Sequence, residues 1–186
     1  HTGIHSFPTR RSSDLAAGVT RGALYWHFKD KAALFNAMLD RVALPLSAEL
    51  EALLAREGDV LAPWCAQMGH ALHQIVNDAQ TRRVLQIAMQ KAEHAQDLAP
   101  VLERHVAMLR MSADCARQLL ERAADARGIR LPAPALQLAH GLDSMVHGLI
   151  YSWLLDRSFD LESTAQAAID AYLRGIGLAA VPGVSA

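Results

Sequence analysis

The 186-residue sequence predicts an all-α fold. Three observations carry that expectation. Alanine and leucine dominate, and both favour helix. Aromatic residues are only 5% of the chain, too few for the β-branched and aromatic texture of strands. Glycines and prolines fall at intervals that separate long stretches of helical period. With 52% hydrophobic and 20% charged residues, the chain has the composition of a folded protein and the length to build a core.

Taken in order, residues 1–15 are polar and basic and show no helical period. Gly18 breaks a short piece that starts at Ala16. Thr20 is a good N-cap, because its hydroxyl can accept a bond from a free amide of the first turn, and the helix it opens runs to about Trp26. Asp30 caps the next, from Lys31 to about Glu57. Pro45 lies inside it, removes one backbone hydrogen bond and predicts a kink. Gly58 ends that helix. Further helices are expected over about Val60–Asn77, Gln80–His94 and Leu98–Ala126, the last closed by Gly128. Pro132 and Pro134 stand before one that runs to about Leu155, and Asp160 caps a final helix over about Leu161–Ile176.

The net charge of −1 conceals an asymmetry. Residues 1–31 carry five basic and two acidic side chains, whereas residues 32–186 carry 13 and 17. A basic front on an acidic body points one end at something anionic, although so small a surplus also arises by chance. Cys65 and Cys115 are far apart with no metal-type spacing, which predicts two buried, reduced thiols in a cytosolic protein. No secretory signal is visible. The apolar stretch Leu136–Leu155 is interrupted by His140, Asp143 and His147, so it reads as a core helix rather than a membrane span.

The informative stretch is residues 16–31, AAGVTRGALYWHFKDK. A glycine permits a tight turn between two helices, Val19 plugs the angle, and Thr20 starts a very short helix. Gly22 and Ala23 are small enough to let that helix start approach another surface closely. The free amides and dipole at the same end favour phosphate. Tyr25 and His27 can bond phosphate oxygens, Lys29 and Lys31 add charge, and Leu24 and Phe28, four apart, return to the core. A recognition helix in a DNA major groove requires this set.

The run from Ala17 to Lys31, followed by Leu34-Phe35, resembles the signature of the TetR family of transcriptional regulators. Tyr25–Lys31, together with Gly148-Leu149, Trp153-Leu154 and Ser158–Leu161, is most similar to the AcrR and TtgR branch, which represses multidrug efflux pumps. The resemblance implies a helix-turn-helix DNA-binding domain followed by a helical ligand-binding and dimerisation domain. Thr20, Arg21, Gly22 and Ala23 would then face bases or nearby backbone, and Tyr25, Trp26, His27 and Lys31 would hold phosphates. For Trp26, packing in the core is an equal alternative. The implied partners are a palindromic double-stranded DNA operator, a small hydrophobic effector and a second copy of the chain, with no membrane and no cofactor.

The sequence departs from the family in front. A TetR-type domain has a first helix and a full second helix ahead of Ala16, and here Leu15-Ala16-Ala17 alone could be the tail of that second helix. His5–Leu15 closely resembles the translation of a common sequencing-adapter oligonucleotide, and the first methionine is Met38, so residues 1–15 read as a foreign segment. A genuine basic arm, with Arg10 and Arg11 in a minor groove, is the alternative. The expected organisation is this foreign segment (1–15), a partial DNA-binding domain with the start of a linker helix (16–46) and the helical ligand and dimer domain (47–180). Lacking the front helices, the chain as written is expected to bind DNA poorly.

In the body, Trp64, Met68, Met89, Met108, Met111, Met145 and Trp153 are candidates to line an adaptable apolar cavity, though each also suits a core. Glu103 or Asp114 could face a cation there. His140, Asp143 and His147 share a helical face, and His70 and His73 lie one turn apart. Metal ligation is the minor reading of both sets, and polar groups at a pocket or interface the major one. Gly141, Ser144 and Gly148 form a narrow flank, and Ala165, Ala168, Ile169, Tyr172 and Ile176 a helical stripe. In the family the two helices concerned make a four-helix bundle across a two-fold axis. Packing within one chain is the competing reading.

The sequence therefore predicts a repressor released by a small hydrophobic ligand. A regulator of another pathway, or a helical module without DNA binding, are the alternatives. No P-loop, dinucleotide fingerprint or zinc-protease motif supports an enzyme.

Overall fold

The computed structural model describes residues 29–92 and 99–178, without the side chains at 31–32, 35, 42–47, 88–92 and 99–102. Among the described residues six helices and no strand occur: α1 (Lys31–Leu54), α2 (Leu61–Asn77), α3 (Ala79–Ala92), α4 (Ala99–Arg127), α5 (Ala135–Leu155) and α6 (Leu161–Gly175). The short helix expected from Thr20, with its candidate DNA-contacting residues Thr20, Arg21, Gly22, Ala23, Tyr25, Trp26 and His27, lies outside the described residues, as do residues 1–15. The side chain of Lys31 also lies outside them.

Aspartates start the helices by a local device. Asp30 accepts from the Ala33 amide at 2.7 Å, Asp160 from the Ser163 amide at 2.7 Å, and Asp59 from the Leu61 amide at 2.9 Å. Asp78 accepts from the amides of Gln80 and Thr81 and from the Thr81 hydroxyl, which starts α3 one residue before the Gln80 expected from sequence. Two helices end on a left-handed glycine. Beyond α4, Gly128 takes φ +62° and lets the Ile129 amide reach back to the Ala124 carbonyl at 2.9 Å. After α6, Gly177 takes φ +85° and Leu178 reaches Leu173 in the same way. α1 stops at Leu54, three residues short of the expected end, because Arg122 of α4 donates to the carbonyls of Leu54 and Arg56 and pins the chain as it turns away. Helix continues through Pro45.

α4 and α5 make the most extensive pairing, with α6 laid on α5 and α2, and α1 against α3, α4 and α2. Small residues permit the close approach: Ala116, Ala123 and Ala124 on α4 and Ala139 on α5 are buried in the main core with Leu119, Leu120, Leu142 and Leu173. A second cluster, Leu72, Ile75, Trp153, Leu154, Leu161 and Ala165, fills the other end of α2, α5 and α6. Ion pairs fasten the outside. Arg127 meets Asp59 at 2.6 Å, and Arg104 of α4 pairs with Asp40 of α1. Among the described residues no helix is long and apolar enough to cross a membrane.

Candidate functional site

Between the two clusters the helices leave a cavity of about 170 Å³. α2 supplies one wall with Trp64, Met68, Ala71, Leu72 and Ile75 at helical spacing, and the Gln67 side chain. α5 supplies the other with Leu142, Asp143, Val146, His147 and Ile150. Ser112 and Ala116 of α4 and Leu50 of α1 close it. The lining is apolar except at Gln67 and at one polar cluster. There the Ser112 hydroxyl donates to Asp143 Oδ1 at 2.6 Å. His147 Nδ1 lies 2.8 Å from the Asp143 backbone carbonyl and 3.4 Å from Asp143 Oδ2. Since a carbonyl only accepts, Nδ1 is the protonated nitrogen in this arrangement. Gln67 turns its amide to Glu49 at 3.3 Å. His105, two turns ahead of Ser112 on α4, is held below the ordinary histidine range by burial, with a smaller push from His147.

Of the candidate pocket residues, Trp64 and Met68 line this cavity. Met108 and Met111 do not: α4 turns Ser112 and Ala116 inward, and Met111, one step of about 100° away, is 45% exposed. Met145 packs against the main core, on a different side of α5 from Asp143 and Val146. Trp153 is buried in the second cluster, with the Arg157 guanidinium 5.1 Å from its ring centre. The Met89 side chain lies outside the described residues. Glu103 and Asp114 are exposed, and Asp114 is engaged by Arg117 and Gln118. The acid of the cavity is instead Asp143, which the sequence marks only as one member of a polar face on α5.

The candidate interface residues divide. Gly141, Ser144 and Gly148 lie on the exposed side of α5. Ala165 and Ile169 are 0% and 1% exposed within the single chain, so they pack on the inner face of α6, whereas Ala168 and Tyr172 of the same stripe stay partly exposed. Tyr172 is also engaged internally: its hydroxyl donates to the Leu138 carbonyl at 2.7 Å and sits where a Gly141 side chain would be. The histidine sets do not converge. His73 faces Glu162 at 3.3 Å, His70 and His140 are exposed, and no group of three metal-ligating side chains occurs among the described residues. Cys65 and Cys115 are half-buried rather than buried, and burial raises both thiols, Cys65 to about 11, which keeps them protonated and unreactive.

Residues 15–38 match the model for bacterial regulatory proteins of the tetR family, and residues 65–177 match the C-terminal region of the MAATS-type transcriptional repressors. The chain belongs to the TetR family. It is 31% identical over 153 residues to the HTH-type transcriptional regulator AcrR of Shigella flexneri, covering 81% of this chain and 71% of that one. It is 34% identical over 165 residues to the HTH-type transcriptional regulator TtgR of Pseudomonas putida, covering 83% and 74%. Among solved structures, the SmeT–triclosan complex superposes with a TM-score of 0.78 at 28% identity, over 91% of this chain and 83% of that one. SmeT is the repressor of the Stenotrophomonas maltophilia multidrug efflux pump SmeDEF. NalD, the secondary repressor of the MexAB-OprM multidrug efflux pump in Pseudomonas aeruginosa, gives 0.72 at 33% identity, over 91% and 85%. The all-helical architecture is thus the TetR one, and the segment matched at the front contains Thr20–Lys31 of the sequence motif.

Proposed function

We propose that this TetR-type regulator is a repressor of a multidrug efflux operon, released from its operator by a small hydrophobic compound. It would act in the bacterial cytoplasm as a homodimer and without enzymatic activity. The observation that carries the reading is the position of the cavity. Leu50 of α1 forms part of its wall, and the same helix begins at Lys31, where the DNA-reading motif ends. SmeT and NalD, both repressors of multidrug efflux pumps, support the efflux assignment.

In this mechanism Thr20, Arg21, Gly22 and Ala23 read bases or adjacent backbone, while Tyr25, Trp26, His27 and Lys31 fix the helix on phosphates. α1 is the lever. Arg122 ties its end, and Arg104 its middle, to α4. A ligand that binds better to a wider cavity shifts the population toward a displaced α1 and α4. In a dimer this changes the spacing of the two reading heads and weakens their grip on a palindrome. The exposed flank of Gly141, Ser144 and Gly148 on α5 is the proposed contact between copies.

The test is fluorescence anisotropy on promoter DNA of a multidrug efflux operon, using a chain that carries a complete TetR-type front ahead of Ala16. Affinity for that fragment over random duplex, falling steeply with salt and lost on adding a small hydrophobic aromatic compound, is expected. Equal affinity for both duplexes contradicts the proposal.

A further inference from the structure

The cavity is apolar apart from Gln67 and one corner, and the corner is unbalanced. Asp143 is the sole carboxylate among the lining residues, and no lysine or arginine stands with it there. Its side chain is 16% exposed. Oδ1 has a close donor in the Ser112 hydroxyl at 2.6 Å. The nearest donor to Oδ2, His147 Nδ1, is 3.4 Å away and lies closer, at 2.8 Å, to the backbone carbonyl of the same residue. A carboxylate offers about four acceptor sites. Asp143 therefore lines an apolar void with spare accepting capacity on Oδ2, and burying such a group without a full complement of donors is costly. A ligand that brings a positively charged N–H donor recovers that cost through a charge-assisted bond in a poorly screened setting. A ligand carboxylate meets like charge with no lysine or arginine in the lining to offset it.

The size of the site limits the rest of the ligand. A cavity of about 170 Å³ is close to one of about 150 Å³ that holds benzene. One aromatic ring fits, and two fused rings fit if the unbranched Met68 side chain yields.

We infer that the cavity selects its effector by charge, taking a small aromatic amine whose ammonium bonds Asp143 Oδ2 in preference to neutral isosteres, and rejecting aromatic carboxylates. This rests on reading the cavity as the effector site. It assigns to Asp143 the choice of ligand class, while Trp64, Met68 and Leu142 supply a shape-tolerant apolar wall.

Three compounds of one shape separate the possibilities: 2-naphthylmethylamine, 2-naphthalenemethanol and 2-naphthoate, titrated into the chain at pH 7 by calorimetry. The amine is expected to bind about tenfold tighter than the alcohol, the scale of one charged hydrogen bond, and the carboxylate weakest. Asp143→Asn brings the amine-to-alcohol ratio to about one. Ser112→Ala, which keeps the carboxylate and frees Oδ1, retains or widens the preference and shows that selectivity does not depend on a disturbed fold. Amine and alcohol binding equally to the unaltered chain, or a preference that survives Asp143→Asn, overturns the inference and leaves the effector site standing. Absence of binding by all three and by their one-ring counterparts benzylamine, benzyl alcohol and benzoate overturns both.

Discussion

Gly141 and Tyr172 form a pair in which each explains the other. A Cβ at Gly141 would lie 2.7 Å from the Tyr172 hydroxyl oxygen, which in turn donates to the Leu138 carbonyl. Gly141→Ala should therefore displace the ring and lose that hydrogen bond, destabilising the chain by about 1 kcal/mol. In a Tyr172→Phe background the obstructing atom is gone. The same alanine should then be neutral or stabilising, since alanine exceeds glycine in a helix by up to about 1 kcal/mol. Urea denaturation of the four chains of this cycle reads the sign change, and additive effects would contradict the pairing. Trp64 is the larger case. It is buried in the core and also lines the cavity, so Trp64→Ala should cost about 3–5 kcal/mol and enlarge the void at the same time. Residue roles of this kind are only half legible in the sequence. Type alone singles out Trp64 and Met68 for the cavity. Met111 and Met145, of the same type, point elsewhere because a step of one residue turns a side chain by about 100° around its helix.

At the scale of the helix, the sequence is far more explicit, because caps and stops are local. Asp30 and Asp160 cap where the sequence places them, and Gly128 closes α4 as expected. The end of α1 escapes the sequence because its cause is not local: Arg122 lies 68 positions from Leu54. Arg122→Met should cost about 2 kcal/mol by leaving the terminal carbonyls of α1 without their charged donor, with the loss seen as a lower urea midpoint. The capping acids should also make stability depend on pH. Thr81 holds the Asp78 carboxyl below the usual range by its hydroxyl and then its amide, with Gln80 helping; Ser163 does the same for Asp160. A lowered carboxyl stabilises the folded chain fully above its unfolded value of about 3.9. That stabilisation is lost as pH falls through the lowered folded value. Asp78→Asn with Asp160→Asn should flatten this acid limb of the thermal midpoint, and an unchanged limb would contradict the assignment.

For the molecule as a whole, one dense motif is enough to place the chain in its family, and its helical architecture superposes on those of SmeT and NalD. Which side of α5 and α6 faces inward is not readable from sequence, since an apolar stripe serves a core and an interface alike. Ala165 and Ile169 fill the core, whereas Ser144 and Gly148 remain outside. The proposed dimer then predicts that Gly148→Arg, placed on the exposed flank, yields monomers by light scattering without a comparable loss of helix content. A dimer that persists would move the interface away from α5.

The proposed regulation rests on one coupling, between the apolar cavity and the DNA-reading motif that precedes α1. The most direct measurement is operator affinity with and without a cavity ligand, in a chain with its TetR-type front complete and in its Leu50→Arg variant. A ligand-induced drop of about tenfold or more, typical of coupled sites, should occur in the parent. The variant, whose arginine fills the cavity wall from α1, should no longer respond. Operator affinity indifferent to ligand in the parent, or full response in the variant, would contradict it.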